Sequence, residues 1–276
     1  MELLIPRCAV RESNKLTLPA RELPLIWHQP LNTSMPDLNL FAVAAPTFKL
    51  KHCGLPSHLE SLLSDDELLR AHGIKDETSK TEFMLGRALL RSVISSLLSL
   101  VPRHLPILIE RNGRPYLDGY SLEFSLSHAC GYVCVAASRN SRIGVDIEGG
   151  GLLERSGVLN KYLRKTFLDD EGSCLTSADC DIVGHWCMCE AYAKCSGQDM
   201  LTAMRSQELR KLIRQPPRSN WHVGSNHSIC LTSVANGQIP LALCVDALPM
   251  PFSVLEIDLS DELFLSKLHQ ELHQTA

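Results

Sequence analysis

Two carboxylates stand two residues apart in Ile143-Gly144-Val145-Asp146-Ile147-Glu148. On a strand they project from one face, and the apolar residues between them take the other. Two adjacent carboxylates with no basic neighbour repel each other, and a hard cation such as magnesium relieves that repulsion. The plain alternative is an edge strand with a solvated face. A second acid lies in Trp186-Cys187-Met188-Cys189-Glu190-Ala191-Tyr192-Ala193-Lys194. Glu190 and Lys194 are four apart and share a helix face. They form either an exposed ion pair, worth a few tenths of a kcal/mol, or a third carboxylate for a cation with an ammonium beside it for a phosphate.

Phe124-Ser125-Leu126-Ser127-His128 puts a serine and a histidine where a strand ends, a common place for groups that meet a ligand. No G-x-S-x-G surrounds Ser127, so a hydrolase nucleophile is not indicated. Arg111-Asn112-Gly113-Arg114-Pro115 is a turn whose backbone and guanidinium groups suit either solvent or a phosphate. Arg87 and Arg91, one helical turn apart upstream, carry the same two readings.

The elements that must position these groups follow from pattern. Leu38–Ala44 reads as a buried strand, and Ser64-Asp65-Asp66-Glu67 as a capping box opening a helix that stops near Gly73. Apolar residues at helical spacing predict a helix over 82–100, closed by Pro102. Strands are expected at Ile107–Glu110, Leu122–Leu126, Tyr132–Ala137 and Ile143–Ile147. The triplet Gly149-Gly150-Gly151 is the clearest break, and helix followed by strands recurs after it. Helices are expected at Leu152–Leu163, at Asp181–Ser196 with Gly197 as its cap, and at Asp261–His273. Strands are expected at Ile229–Ala235, Leu241–Asp246 and Phe252–Ile257, the first two joined by Asn236-Gly237. The expected class is α+β, in two halves spanning 1–148 and 149–276.

The 276 residues are 45% hydrophobic and 21% charged with a net charge of −4, a globular balance without the basic field that nucleic acid requires. The start of the chain lacks a signal-peptide pattern, and no apolar run approaches membrane-spanning length, so a soluble intracellular protein is expected. Of the eleven cysteines, the densest group (Cys174, Cys180, Cys187, Cys189, Cys195) lacks C-x-x-C spacing. That argues against a zinc knuckle.

In this order the segments resemble the phosphopantetheinyl transferase superfamily, in particular its larger, surfactin-synthetase-activating type. Gly144-Val145-Asp146-Ile147-Glu148 resembles its G-x-D-x-E strand, and Trp186–Lys194 its W-x-x-K-E-A-x-x-K helix. Phe124–His128 resembles F-x-x-S-H, Asn112–Pro115 an N-G-K-P turn, and Phe83–Arg91 an arginine-bearing helix. The resemblance runs from about residue 62 to 197. It implies two pseudo-symmetric α+β halves with the active site in the cleft between them, in a cytoplasmic monomer. It implies transfer of the 4′-phosphopantetheine group from coenzyme A to a serine of an apo acyl or peptidyl carrier protein, releasing 3′,5′-ADP. Asp146, Glu148 and Glu190 would hold Mg²⁺. Lys194, His128 and Ser127 would contact phosphates. Arg87, Asn112, Gly113, Arg114 and Pro115 would hold the nucleotide end, with Lys80 a further candidate. Glu190 or a metal-held water would take the serine proton.

The chain departs from the pattern at Cys189, where the family has its first helix lysine. A thiol cannot replace a cationic donor. The resulting alternative is a weakened coenzyme A or nucleotide-binding protein, in which Cys189→Lys would speed turnover. A third reading is a zinc or redox protein built on the clustered cysteines.

Overall fold

A computed structural model describes residues 40–47, 55–111, 113–139, 141–149, 151–154, 178–209, 222–223, 226–247 and 253–259, with isolated positions beyond these. Strand β1 (Leu40–Pro46) opens the described chain. Helices α1 (Ser57–Glu60), α2 (Asp65–His72) and α3 (Glu77–Leu98) follow. The expected capping box is present: Ser64 Oγ accepts from Glu67 N, and Glu67 returns a carboxylate to Ser64 N. Helix α3 begins five residues before the apolar periodicity does, because Asp76 caps a polar first turn by accepting from Ser79 N at 2.7 Å. It ends at Leu98, where Ser99 turns left-handed, ahead of Pro102.

A hairpin of two three-residue strands, β2 (Ile107–Ile109) and β3 (Pro115–Leu117), precedes β4 (Glu123–Ala129), β5 (Tyr132–Ser138) and β6 (Ile143–Ile147). The short helix α4 (Gly151–Glu154) covers the start of the expected 152–163 helix. Helix α5 (Ala178–Ser196) ends, as expected, at Gly197, which takes the left-handed conformation (φ 73°). The remaining elements are α6 (Met200–Arg205), β7 (His222–Val223), β8 (Ser228–Val234), β9 (Ile239–Val245) and β10 (Ser253–Glu256). The expected C-terminal helix falls mostly outside the described residues.

One sheet has the order β10-β1-β5-β4, and the other β6-β9-β8-β7. Most neighbours are antiparallel; β10 returns from the far end of the chain to lie parallel to β1, pairing Phe41 with Ser253. Alternation along the strands builds three cores. Val43, Val133, Val135 and Ala137 face α3 with Leu85, Leu89 and Val93. Ala42, Ala44, Cys134 and Ala136 turn the other way, toward Ile143, Val145, Ile147 and Leu243 of the second sheet. Beyond that sheet, Ile229, Ala242 and Cys244 meet α5 and α6. The result is four layers, helix, sheet, sheet and helix, an α+β architecture with residues 36–276 in one unit. Among the described residues no helix is long and apolar enough to cross a membrane.

Candidate functional site

Strand β6 sends Ile143, Val145 and Ile147 into the core between the sheets. Gly144, Asp146 and Glu148 therefore face α5, as the two-residue alternation predicts. Gly144 permits an unusually close approach. A Cβ added there would lie 2.0 Å from Ala191 O and 2.6 Å from Cys195 N, so the strand rests directly on one backbone turn of the helix. Lys194 belongs to that turn. Its Nζ donates to Asp146 Oδ1 at 2.8 Å, to Val145 O at 3.0 Å and to Ser127 Oγ at 3.2 Å. Ser127 Oγ in turn donates to Asp146 Oδ1 at 2.8 Å and accepts from Ile147 N at 3.4 Å. One donor and two acceptor positions leave the hydroxyl fully used. Three segments far apart in sequence thus converge on one carboxylate.

Glu148 is buried, and its Oε1 accepts from Gly149 N at 3.1 Å. Glu190 stands on the Lys194 face of α5. Burial raises its carboxyl above the ordinary glutamate value; Lys194 draws it back, and Asp146 and Glu148 push it up again. Three hard oxygen donors in mutual repulsion suit a magnesium ion chemically. Their side chains are not drawn together, however: among the described residues no group of three or more His, Cys, Asp or Glu is placed to hold a metal ion. Lys194 supplies the positive charge at Asp146 instead.

Helical spacing brings Cys187, which the sequence grouped only with the other clustered cysteines, onto the Glu190 face. Burial first, then Asp146 and Glu148, push its thiol well above the ordinary cysteine value. Cys189 lies elsewhere. It is fully buried in the core beneath α5, with its thiol pushed up by burial and by Glu190. Cys195 is buried too. Cys187 and Cys189, both buried with raised thiols, are packing material rather than the thiolates a zinc site requires.

Arg87 and Arg91, which share one sequence reading, separate clearly. Arg91 is a structural hub: its Nε donates to Glu67 at 2.5 Å and its Nη1 to the carbonyls of Pro102, Arg103 and Leu105. Arg87 is 8% exposed, and its Nε and Nη1 have no hydrogen-bond partner. Its closest carboxylate, Glu67, is 3.9 Å away and already engaged by Arg91. Burial lowers its pKa, Glu67 opposes that, and Arg70 and Arg91 add to the lowering. Arg70 and Arg87 also both approach the Phe83 ring, at 5.1 and 5.6 Å. A buried cation with idle donors among other cations is chemically suited to an anion.

Arg114 pairs with Glu123 at 2.5 Å and reaches Lys194 O at 3.5 Å, so it also caps the C-terminal turn of α5. With Pro115, Tyr116, Phe124 and Arg142 it lines a cavity of about 160 Å³, smaller than is usual for a cofactor. Gly113 is exposed at the hairpin tip, and Asn112 lies outside the described residues. His128 is exposed at the end of β4, and Lys80 pairs with Glu77 at 3.6 Å.

No family model matches the chain. It is 29% identical over 169 residues to the 4′-phosphopantetheinyl transferase HetI of Nostoc sp. (strain PCC 7120), which covers 58% of this chain and 70% of that protein. It is 25% identical over 162 residues to a phosphopantetheinyl transferase of Thraustochytrium sp. (strain ATCC 26185), covering 53% of this chain and 56% of that protein. The resemblance to the phosphopantetheinyl transferase superfamily therefore holds over more than half of the chain.

Proposed function

We propose that the protein transfers 4′-phosphopantetheine from coenzyme A to a serine of an apo acyl or peptidyl carrier protein, as a transferase of the larger surfactin-synthetase-activating type. The observation that carries the reading is the meeting of Ser127, Asp146 and Lys194. They come from three of the five segments that carry the resemblance, and Nζ, Oγ and Oδ1 lie within 3.2 Å of one another. The halves 1–148 and 149–276, with the cleft between them as the working site, the monomeric state and the cytoplasmic location belong to the same proposal.

In this reading the carrier serine attacks the β-phosphorus of coenzyme A, the pyrophosphate bond breaks, and 3′,5′-ADP leaves. Such chemistry needs positioning and charge neutralisation more than covalent help. Asp146, Glu148 and Glu190, once their side chains turn together, would hold magnesium, which would supply charge neutralisation at the pyrophosphate. Lys194 takes a phosphate oxygen from the position it now occupies against Asp146, and Ser127 keeps both groups in place. His128, exposed at the strand end, contacts the same phosphates. Burial raises the Glu190 carboxyl toward the working range of a general base, which suits it to accept the serine proton. The idle donors of Arg87 receive the 3′-phosphate, and Pro115 with its hairpin flanks the nucleotide.

Incubation with coenzyme A, magnesium and a panel of apo carriers, followed by intact-mass measurement, tests the reading. A gain of one phosphopantetheine arm is expected, and Asp146→Ala removes it. No gain on any carrier, with the protein folded, sinks the proposal. The weakened-binder alternative predicts coenzyme A binding in calorimetry without that gain.

A further inference from the structure

We infer that Ser125, at an unspecified position of the F-x-x-S-H segment, is a positioning residue that sets where Asp146 and Lys194 meet. The inference rests on the transferase reading and deepens it. Strand β4 is the outer strand of one sheet and β6 the outer strand of the other. Where they come together, side chains replace a backbone ladder. Ser125 Oγ accepts from Val145 N at 3.0 Å, and Ser127 Oγ accepts from Ile147 N at 3.4 Å. The two serines share a face of β4, both are buried, and they take two successive outward N–H groups that β6 does not give to β9. The sheets are thus joined by a seam of two hydroxyls.

The seam runs through the proposed centre. Val145, held by Ser125 through its N–H, offers its carbonyl to Lys194 Nζ at 3.0 Å and is the neighbour of Asp146. Ser127 cannot hold the seam unaided, because its oxygen also serves Lys194 and Asp146. Ser125 has no such second duty in the centre. Its hydroxyl keeps β6 in register with β4, so that Ser127 can serve the lysine and the carboxylate. It acts through Val145 and touches no reacting atom.

The experiment compares full-length wild type, Ser125→Ala and Ser125→Thr by amide hydrogen exchange and by carrier-transfer kinetics. Ser125→Ala is expected to speed exchange at both Val145 and Ile147 by about tenfold, the worth of one lost hydrogen bond. It lowers kcat by about ten- to a hundredfold, as a small misplacement does, and leaves KM for the carrier unchanged. Ser125→Thr, which keeps the hydroxyl, restores exchange and kcat together. Faster exchange at Val145 alone, with Ile147 and kcat unchanged, makes Ser125 a local amide cap and overturns the inference. If wild type transfers nothing, the transferase reading fails, and exchange at Ile147 alone decides the seam. If Ser125→Ala does not fold, Ser125→Cys keeps the volume with a weaker acceptor. It must show the same paired effects, or the inference falls.

Discussion

Replacing Gly144 by alanine tests how β6 and α5 create the centre. The added methyl carbon would stand 2.0 Å from Ala191 O and 2.6 Å from Cys195 N, whereas ordinary contact begins at 3.4 Å. Both opposing atoms are helix backbone, so no rotamer change relieves the overlap. Strand and helix must part by about 1.4 Å, a displacement a packed interior resists. The stability cost is expected at about 3 kcal/mol or more, the upper end for overpacking. The same movement carries Lys194 away from a carboxylate it now meets at 2.8 Å, and misplacement of this order lowers turnover by about a hundredfold. The control is Gly184→Ala on the same helix. There the nearest atom, at 2.8 Å, is Leu231 Cδ2, the far end of a flexible side chain, so the effect stays within about 1 kcal/mol. Urea unfolding midpoints and initial rates of carrier modification are the assays. A Gly144→Ala protein within about 0.5 kcal/mol of wild type, transferring at an undiminished rate, would refute the close-packing argument.

Arg87→Met is expected to leave the unfolding midpoint equal or higher, since a buried cation with idle donors gives way to an apolar chain. Its KM for coenzyme A should rise about tenfold, while that for dephospho-coenzyme A hardly moves; parallel kinetics with the two substrates check this. Cys189→Lys puts an amine into a fully buried core position and should cost about 3 kcal/mol or more. Denaturation of the variant beside Cys189→Ala measures that, and the gain in turnover expected from sequence is cancelled unless the amine escapes to solvent. Glu190 has a carboxyl raised in the folded state, so its contribution is fully present below the unfolded value near 4.5 and is lost as pH rises through the raised folded value. Glu190→Gln should therefore be at least as stable as wild type at pH 7, with the advantage shrinking as pH falls toward 4.5. Urea midpoints across that range decide it, and a constant difference would contradict the burial argument.

Local rules made much of this legible. Two-residue alternation placed Asp146 and Glu148 on one face of β6, and helical spacing placed Glu190 with Lys194. The capping box at Ser64 and the glycine stop at Gly197 marked their termini. Local rules failed where the partner was distant. Glu67 reads as a cap, yet its carboxylate also meets Arg91, 24 residues on, and this separates the structural Arg91 from the idle Arg87. Cys189 stands where the motif has a lysine, and its burial depends on which way a helix rolls against a sheet, which spacing along the chain does not give. Ser125 carries no signal at all, since its partner is the backbone amide of another strand. Strand β3 is too short for periodicity, and the start of α3 is polar, which hides it from an apolar count.

The parallel pairing of β1 with β10 also has a temporal side. During synthesis β1 emerges about two hundred residues before the strand that covers its outer edge. At about 5–20 residues per second this is about ten to forty seconds. Throughout that interval a strand carrying Ala42, Val43 and Ala44 shows an open row of peptide groups that another nascent chain can match. The first sheet therefore closes only once β10 has been made, and chain shortening beyond Asp246 would leave that row permanently open to self-association.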